Sequence, residues 1–285
     1  MSSSSSSKAV AAPWRSLFLE HVSGMKQALF TFSTLHPIPS SAPNAPSVVP
    51  RARTCVMRGV WGTMPENDKN KAPRNPEGVY ESDLPIFTTD CRMDKVPEIF
   101  GGSGLHSVGS SGSGGGGAVE AVFWATEPQT QWRVRGTAWV LGPDIDGEGG
   151  RAVREALEKR MRTPTDGGKG SSEESWSWSR EITGHFGNLS PGMRGTFRNP
   201  APGTLRSVPP KEGEGLGQKV EDLDDELART NFRVVVIVPT EVDQVDLSNP
   251  EDVRRYLYTF VGQEGRTVHE GGKITGEWEK VEFWP

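Results

Sequence analysis

Residues 231–247 read NFRVVVIVPTEVDQVDL, and few folds accommodate that stretch. A continuous run of β-branched residues fits a strand buried on both faces, and it is too short for the ~18 to 20 apolar residues that span a bilayer. Such a strand needs partners on both edges. The chain offers several: ALFTFSTLHP at 28–37 alternates with a period of two, and SVVPRARTCVMRGVWG at 47–62 is rich in valine. DLPIFTTD at 83–90 should pair with it antiparallel across a long polar connection. Residues 118–141, AVEAVFWATEPQTQWRVRGTAWVL, read as a hairpin with a Glu-Pro-Gln turn. In its second strand Trp132, Val134, Gly136 and Ala138 face away from Arg133, Arg135, Thr137 and Trp139. NPEDVRRYLYTF at 249–260 is a further strand or helix edge, and GEWEKVEFWP closes the chain as a strand.

Helical patterns are few. APWRSLFLEHVSGM at 12–25 spaces Trp14, Leu17, Phe18 and His21 or Val22 as one face of a helix, with Pro13 in its first turn. CRMDKVPEIF at 91–100 looks like a short helix that Asp90 caps, its free N–H groups favouring an anion. REALEKRMR at 154–162 is another short helix. Six or seven short strands with hairpin connections and few helices predict a mainly β fold, a barrel with helical additions. There is no G-x-G-x-x-G opening a helix after a strand, which argues against a Rossmann domain.

Only 34% of the residues are hydrophobic, and the chain carries 34 glycines and 22 prolines, so the core is expected to carry long polar insertions. We expect a disordered tail over 1–11 and a single domain over 12–285, with flexible insertions near 63–81, 101–117, 144–175 and 206–228. A net charge of −5 gives no general attraction to nucleic acid or to an anionic membrane, so an anion site must be local. Cys55 and Cys91 are too few for a disulfide framework and have no zinc-like spacing with histidine. With no apolar leader in MSSSSSSKAVAAPW, the chain reads as a cytoplasmic protein with no membrane partner.

Three basic pairs interrupt the strand-like sequence: Arg53 with Arg58, Arg92 with Lys95, and Arg133 with Arg135. Arginine presents a planar fork to phosphate or to a heterocycle's carbonyl edge, and lysine acts as a point charge. Together with the hydroxyls of Thr88 and Thr89 they suit a phosphorylated ligand. The other reading puts these charges on solvated strand faces. Arg53 and Arg58 are an odd number apart, so either a bulge intervenes or they grip different parts of one ligand.

In order and spacing, APWRSLFLEH, RTCVMRG, FTTDCRMDKVPEI, FWATEPQTQWRVRG, LSPGMRGTFRNPAPG, NFRVVVIVPTEVDQVDL and RRYLY resemble the FMN-binding split-barrel family of pyridoxamine 5′-phosphate oxidase. The likeness is to the oxidase-related subgroup with an N-terminal APW-x-SL helix. The resemblance implies an FMN-binding split β-barrel, with the cofactor at the two-fold interface of a homodimer. It also implies flavin contacts from Arg53 and Arg58, backbone contacts from Thr54 through Cys55 and Val56 to Met57, and phosphate contacts from Thr88, Thr89 and Lys95. Asp94 stands where the oxidase has a basic residue, for which Arg92 is the expected substitute, and Gln131 resembles the glutamine that contacts the flavin. Trp178 and Arg180 precede LSPGMRG, where the family approaches the cofactor from the second subunit. The oxidase's R-x-H-x-R substrate motif falls on Glu251, Val253 and Arg255, so only the last basic residue survives. The implied function is therefore an FMN-binding oxidoreductase of this type with an unidentified small-molecule substrate. The alternatives are a true pyridoxamine 5′-phosphate oxidase and a non-catalytic flavin-binding or sensing module.

Overall fold

The computed structural model describes residues 10–38, 47–101, 112–164 and 175–285. The valine run becomes β8 (Phe232–Asp246), and its side chains alternate between two cores. Val235, Ile237 and Val242 enter one, while Phe232, Val234, Val236 and Val238 enter the other, which is why residues 234–238 are apolar without a break.

Around β8 the sheet closes. β4 (Pro85–Asp90), β2 (Val48–Val60), β1 (Leu29–Pro37), β5 (Gly114–Ala125) and β6 (Thr130–Leu141) follow one another, and β6 returns to β8, so six antiparallel strands form a barrel. β8 is longer than the barrel needs. Its first part pairs with β4, from Asp90↔Phe232 to Ile86↔Val236, and its last part pairs instead with β9 (Arg254–Phe260), from Glu241↔Thr259 to Asp246↔Arg254. The barrel splits there, and β9, β11 (Trp278–Phe283) and β10 (Lys273–Thr275) extend the sheet outward. A two-stranded pair, β3 (Glu81–Ser82) with β7 (Met161–Arg162), stands apart. The chain is thus mainly β with helical additions, as its patterning predicts.

The barrel interior is aromatic: Phe30, Phe32, Phe87, Phe123 and Trp132 fill it, and α1 (Arg15–Gly24) closes one end. Phe18 and Val22 are the buried residues of α1, with Phe18 lying 5.0 Å edge-to-face from Phe123. Leu17, expected on the buried face, is exposed. The second core lies outside the barrel, where α3 (Arg151–Glu158), α4 (Trp178–Gly187), α5 (Pro191–Gly195) and α6 (Glu226–Asn231) contribute to a layer with Trp61, Phe186, Phe197 and Phe232.

Two expectations are corrected. The glycine run does not all belong to a surface insertion, because Gly114–Gly117 form the start of β5 and pair with Ala138, Trp139 and Val140. A Cβ on Gly117 would sit 2.5 Å from the Ile99 carbonyl oxygen, so the run is glycine because α2 (Lys95–Gly101) packs directly on that strand. Residues 102–111 of the same stretch lie outside the described residues, as do 1–9 and 165–174. Asp90 does not cap α2, which begins five residues later; its carboxylate accepts the Arg92 backbone N–H at 2.8 Å and shapes a turn. The polar segment 63–81 is also anchored to the fold. Asn70 donates to the Gly184 carbonyl at 2.9 Å, and Asn75 donates to the Ser177 carbonyl at 2.9 Å, joining it to α4.

Candidate functional site

On β2, Cys55 and Met57 belong to the barrel core, so the intervening Thr54, Val56 and Arg58 belong to the opposite face. After Met57↔Phe87 the next pair is Gly59↔Ile86, which makes Arg58 the extra residue of a bulge. Gly59 follows at φ +118°, a conformation L side chains rarely adopt. A cavity of about 1050 Å³ opens beside this face. Its floor is Thr54, Cys55, Val56 and Arg58, and its side is Thr88, Thr89, Arg92 and Lys95. Eight of the ten residues predicted for a cofactor therefore converge on one cleft.

Arg58 is half-buried and lines the cleft with its Nε fully buried and without a hydrogen-bond partner. Burial alone depresses its pKa, with no carboxylate acting on it. Lys95 is buried on the first turn of α2, and its Nζ donates to the Thr89 hydroxyl at 3.1 Å. Burial lowers its pKa too, against the opposing pull of Cys55, Glu98 and Asp90 and with the aid of Arg53. Burial pushes the Cys55 thiol up, against the lowering pull of Lys95 and Arg53. Two cations that have left water and face a cavity, with no ion-pair partner among the described residues, have the chemistry to receive an anion.

The other predicted residues have other tasks. Arg53 lies on the β2 face opposite Arg58 and does not line the cleft: its Nη2 reaches Glu98 Oε2 at 2.6 Å and its Nη1 donates to the Thr34 hydroxyl at 2.5 Å. The parity of the two arginines is thus resolved as opposite faces. Arg92 lines the cleft with its guanidinium already bonded, by a fork onto Asp90 at 2.9 and 2.7 Å, with further bonds to the Asn199 carbonyl at 3.0 Å and to Glu214 at 3.3 Å. The hydrogen bond it donates to Asp90 leads the causes that raise its pKa. Gln131 is half-buried on β6, opposite Trp124 and Val245, outside the cleft. Arg133 pairs with Asp243 and Arg135 with Glu241, so neither converges on the ligand site. Trp178 stacks on Trp61 at 5.6 Å in the outer core, and Arg180 stands near it on α4, away from the cleft.

The far wall was not foreseen as individual residues. It is an irregular arm between Met193 and Leu216, carrying Phe197, Pro200, Leu205, Arg206 and Val208 against the cleft. Without helical or strand periodicity, LSPGMRGTFRNPAPG signals only turns and breaks, and the arm owes its place to Arg92.

Residues 11–142, from α1 to the end of β6, match the family model of the pyridoxamine 5′-phosphate oxidase, FMN-binding domain. That span includes Thr54, Arg58, Thr88, Thr89 and Lys95 and stops short of the arm. Among solved structures, a pyridoxamine 5′-phosphate oxidase-related, FMN-binding protein from Nostoc punctiforme PCC 73102 superposes with a TM-score of 0.51 at 17% identity, covering 97% of this chain and 100% of its own. PhzG from Burkholderia lata 383, crystallised with tetrahydrophenazine-1-carboxylic acid, superposes with a TM-score of 0.41 at 12% identity, covering 97% and 98%. No curated protein matches the chain in sequence. The family resemblance and the fold class expected from the sequence are both borne out.

Proposed function

We propose that FMN binds against β2, β4 and α2, on the cationic side of the cleft that the 193–216 arm closes, and that the chain is an oxidoreductase of the pyridoxamine 5′-phosphate oxidase-like type. The observation that carries this reading is Arg58: a half-buried guanidinium with an unbonded, fully buried Nε, facing a cavity of about 1050 Å³. The match of residues 11–142 to an FMN-binding domain supports the choice of ligand. The cavity stands at the upper end of the roughly 300 to 1,000 Å³ that holds small ligands.

In this reading Lys95, with the hydroxyls of Thr88 and Thr89, holds the phosphate, and Arg58 offers its fork to the remainder of the cofactor. Thr54 through Val56 form the floor, and Cys55 is a small core residue that also borders the cleft. When bound, FMN supplies the redox chemistry through its isoalloxazine ring. Arg53 and Glu98 brace β2 against β1 and α2, and Arg92 keeps the arm over the opening.

Arg255, the surviving member of the oxidase's substrate motif, donates to Asp243 at 2.8 and 3.1 Å. It is committed to an internal ion pair, which disfavours pyridoxamine 5′-phosphate as substrate. The chain is proposed to act as a homodimer: Leu29, Leu35 and Trp124 stand exposed on β1 and β5, and an apolar surface of this kind suits a second copy. A visible spectrum of the protein mixed with FMN and desalted tests the cofactor. Retained flavin bands are expected, and a colourless protein would defeat the reading.

A further inference from the structure

The cleft is chemically two-sided. Its cations stand on β2 and α2, whereas the arm opposite carries Met193, Leu205, Val208 and Leu216, all exposed. Leu205 and Leu216, at 72% and 60% exposure, are among the most exposed large apolar side chains of the described residues. Scattered exposed apolar residues need no explanation, but four on one wall of one cavity mark a surface that something apolar covers.

The arm that carries most of this wall is held in place. Arg92 bonds the Asn199 carbonyl and Glu214 from the end of β4, and Arg198 ties the same segment to Asp225 at 3.0 Å. The wall is therefore set before a ligand arrives.

Charge decides which ligand. Arg58 and Lys95 are the buried cations of the cleft, and the FMN reading commits both. Arg92 is neutralised by Asp90 and Glu214. Arg206 is exposed at the solvent side, where an ion pair contributes little. Beyond these two, no unpaired buried cation among the described residues lines the cleft to receive a second phosphate or carboxylate. We infer that the substrate is a neutral, planar aromatic molecule seated between the flavin and the apolar wall of Met193, Leu205, Val208 and Leu216. This inference rests on the FMN reading.

The test uses the full chain loaded with FMN and follows the flavin absorption while 2-naphthol is added, with pyridoxamine 5′-phosphate as the charged comparison. A saturable change with 2-naphthol is expected, weakened at least tenfold by Leu205→Asp or Val208→Asp, both of which should retain FMN. Binding of pyridoxamine 5′-phosphate in preference to 2-naphthol would overturn the inference. Loss of FMN from either variant would overturn it as well, by assigning the wall to the cofactor. So would conversion of a dimer to a monomer by Leu205→Asp with 2-naphthol binding unchanged, which would give the wall to a second copy. Failure of the wild-type protein to take up FMN at the outset defeats the cofactor reading itself, and is told apart by that first step.

Discussion

Arg53 and Arg58 look equivalent in the sequence and are not. A strand separates them onto opposite faces, and their surroundings differ in one respect: Arg53 has Glu98, and Arg58 has no carboxylate. Burial pushes the Glu98 carboxyl up, yet hydrogen bonds from Thr34, His36 and Arg53 outweigh it and hold the group below its ordinary value. A carboxylate with a depressed folded-state pKa adds stability above its unfolded value of ~4.3, and loses that contribution as pH falls through the folded value. Glu98→Gln is therefore expected to cost stability at neutral pH and to flatten the acid side of the stability profile, as urea denaturation between pH 7 and pH 3 would record. An unchanged acid limb would contradict this role. The residue types were legible in the sequence, including the parity of the two arginines. Their partners were not, because Glu98 and Thr34 lie 45 and 19 positions from Arg53 and meet it only through the fold.

Among the elements, α2 shows how composition misleads. Its neighbours in sequence are glycine-rich and read as linker, yet Gly114, Gly115 and Gly117 let β5 pass against Phe100 and Ile99. An added Cβ at Gly117 meets backbone, not the far end of a flexible side chain. Gly117→Ala should displace α2, and Lys95 with it. The expected outcome is a loss of roughly 1 to 3 kcal/mol of stability together with weaker FMN binding, whereas Ala118→Gly on the same strand should leave FMN binding intact. β2, β4, β5, β6 and β8 were readable because apolar alternation or continuity is strong in each. The arm from Met193 to Leu216 was not, since past the short helical turns that end at Arg198 it lacks regular structure and is kept in place by Arg92, a residue expected to bind phosphate.

At the scale of the whole molecule, the long β8 unites the account. It closes the barrel with β4 and β6 and then leaves β4 for β9, and the resulting split barrel leaves β1 and β5 with exposed apolar residues. Sedimentation of the FMN-loaded protein is expected to give a dimer, and Trp124→Glu to shift it toward monomer without unfolding it. A wild-type monomer at micromolar concentration would remove the dimer from the account. Arg58 and Lys95 are proposed to make the anion site for FMN, and quenching of flavin fluorescence measures what they contribute. Charge-assisted hydrogen bonds contribute roughly 1.5 to 3 kcal/mol, about one to two decades in affinity. FMN should accordingly bind one to two decades more tightly than riboflavin, Lys95→Ala should erase that difference, and Arg58→Gln should weaken FMN by a similar factor. Equal affinity for FMN and riboflavin in the wild-type protein, indifferent to both substitutions, would contradict the account.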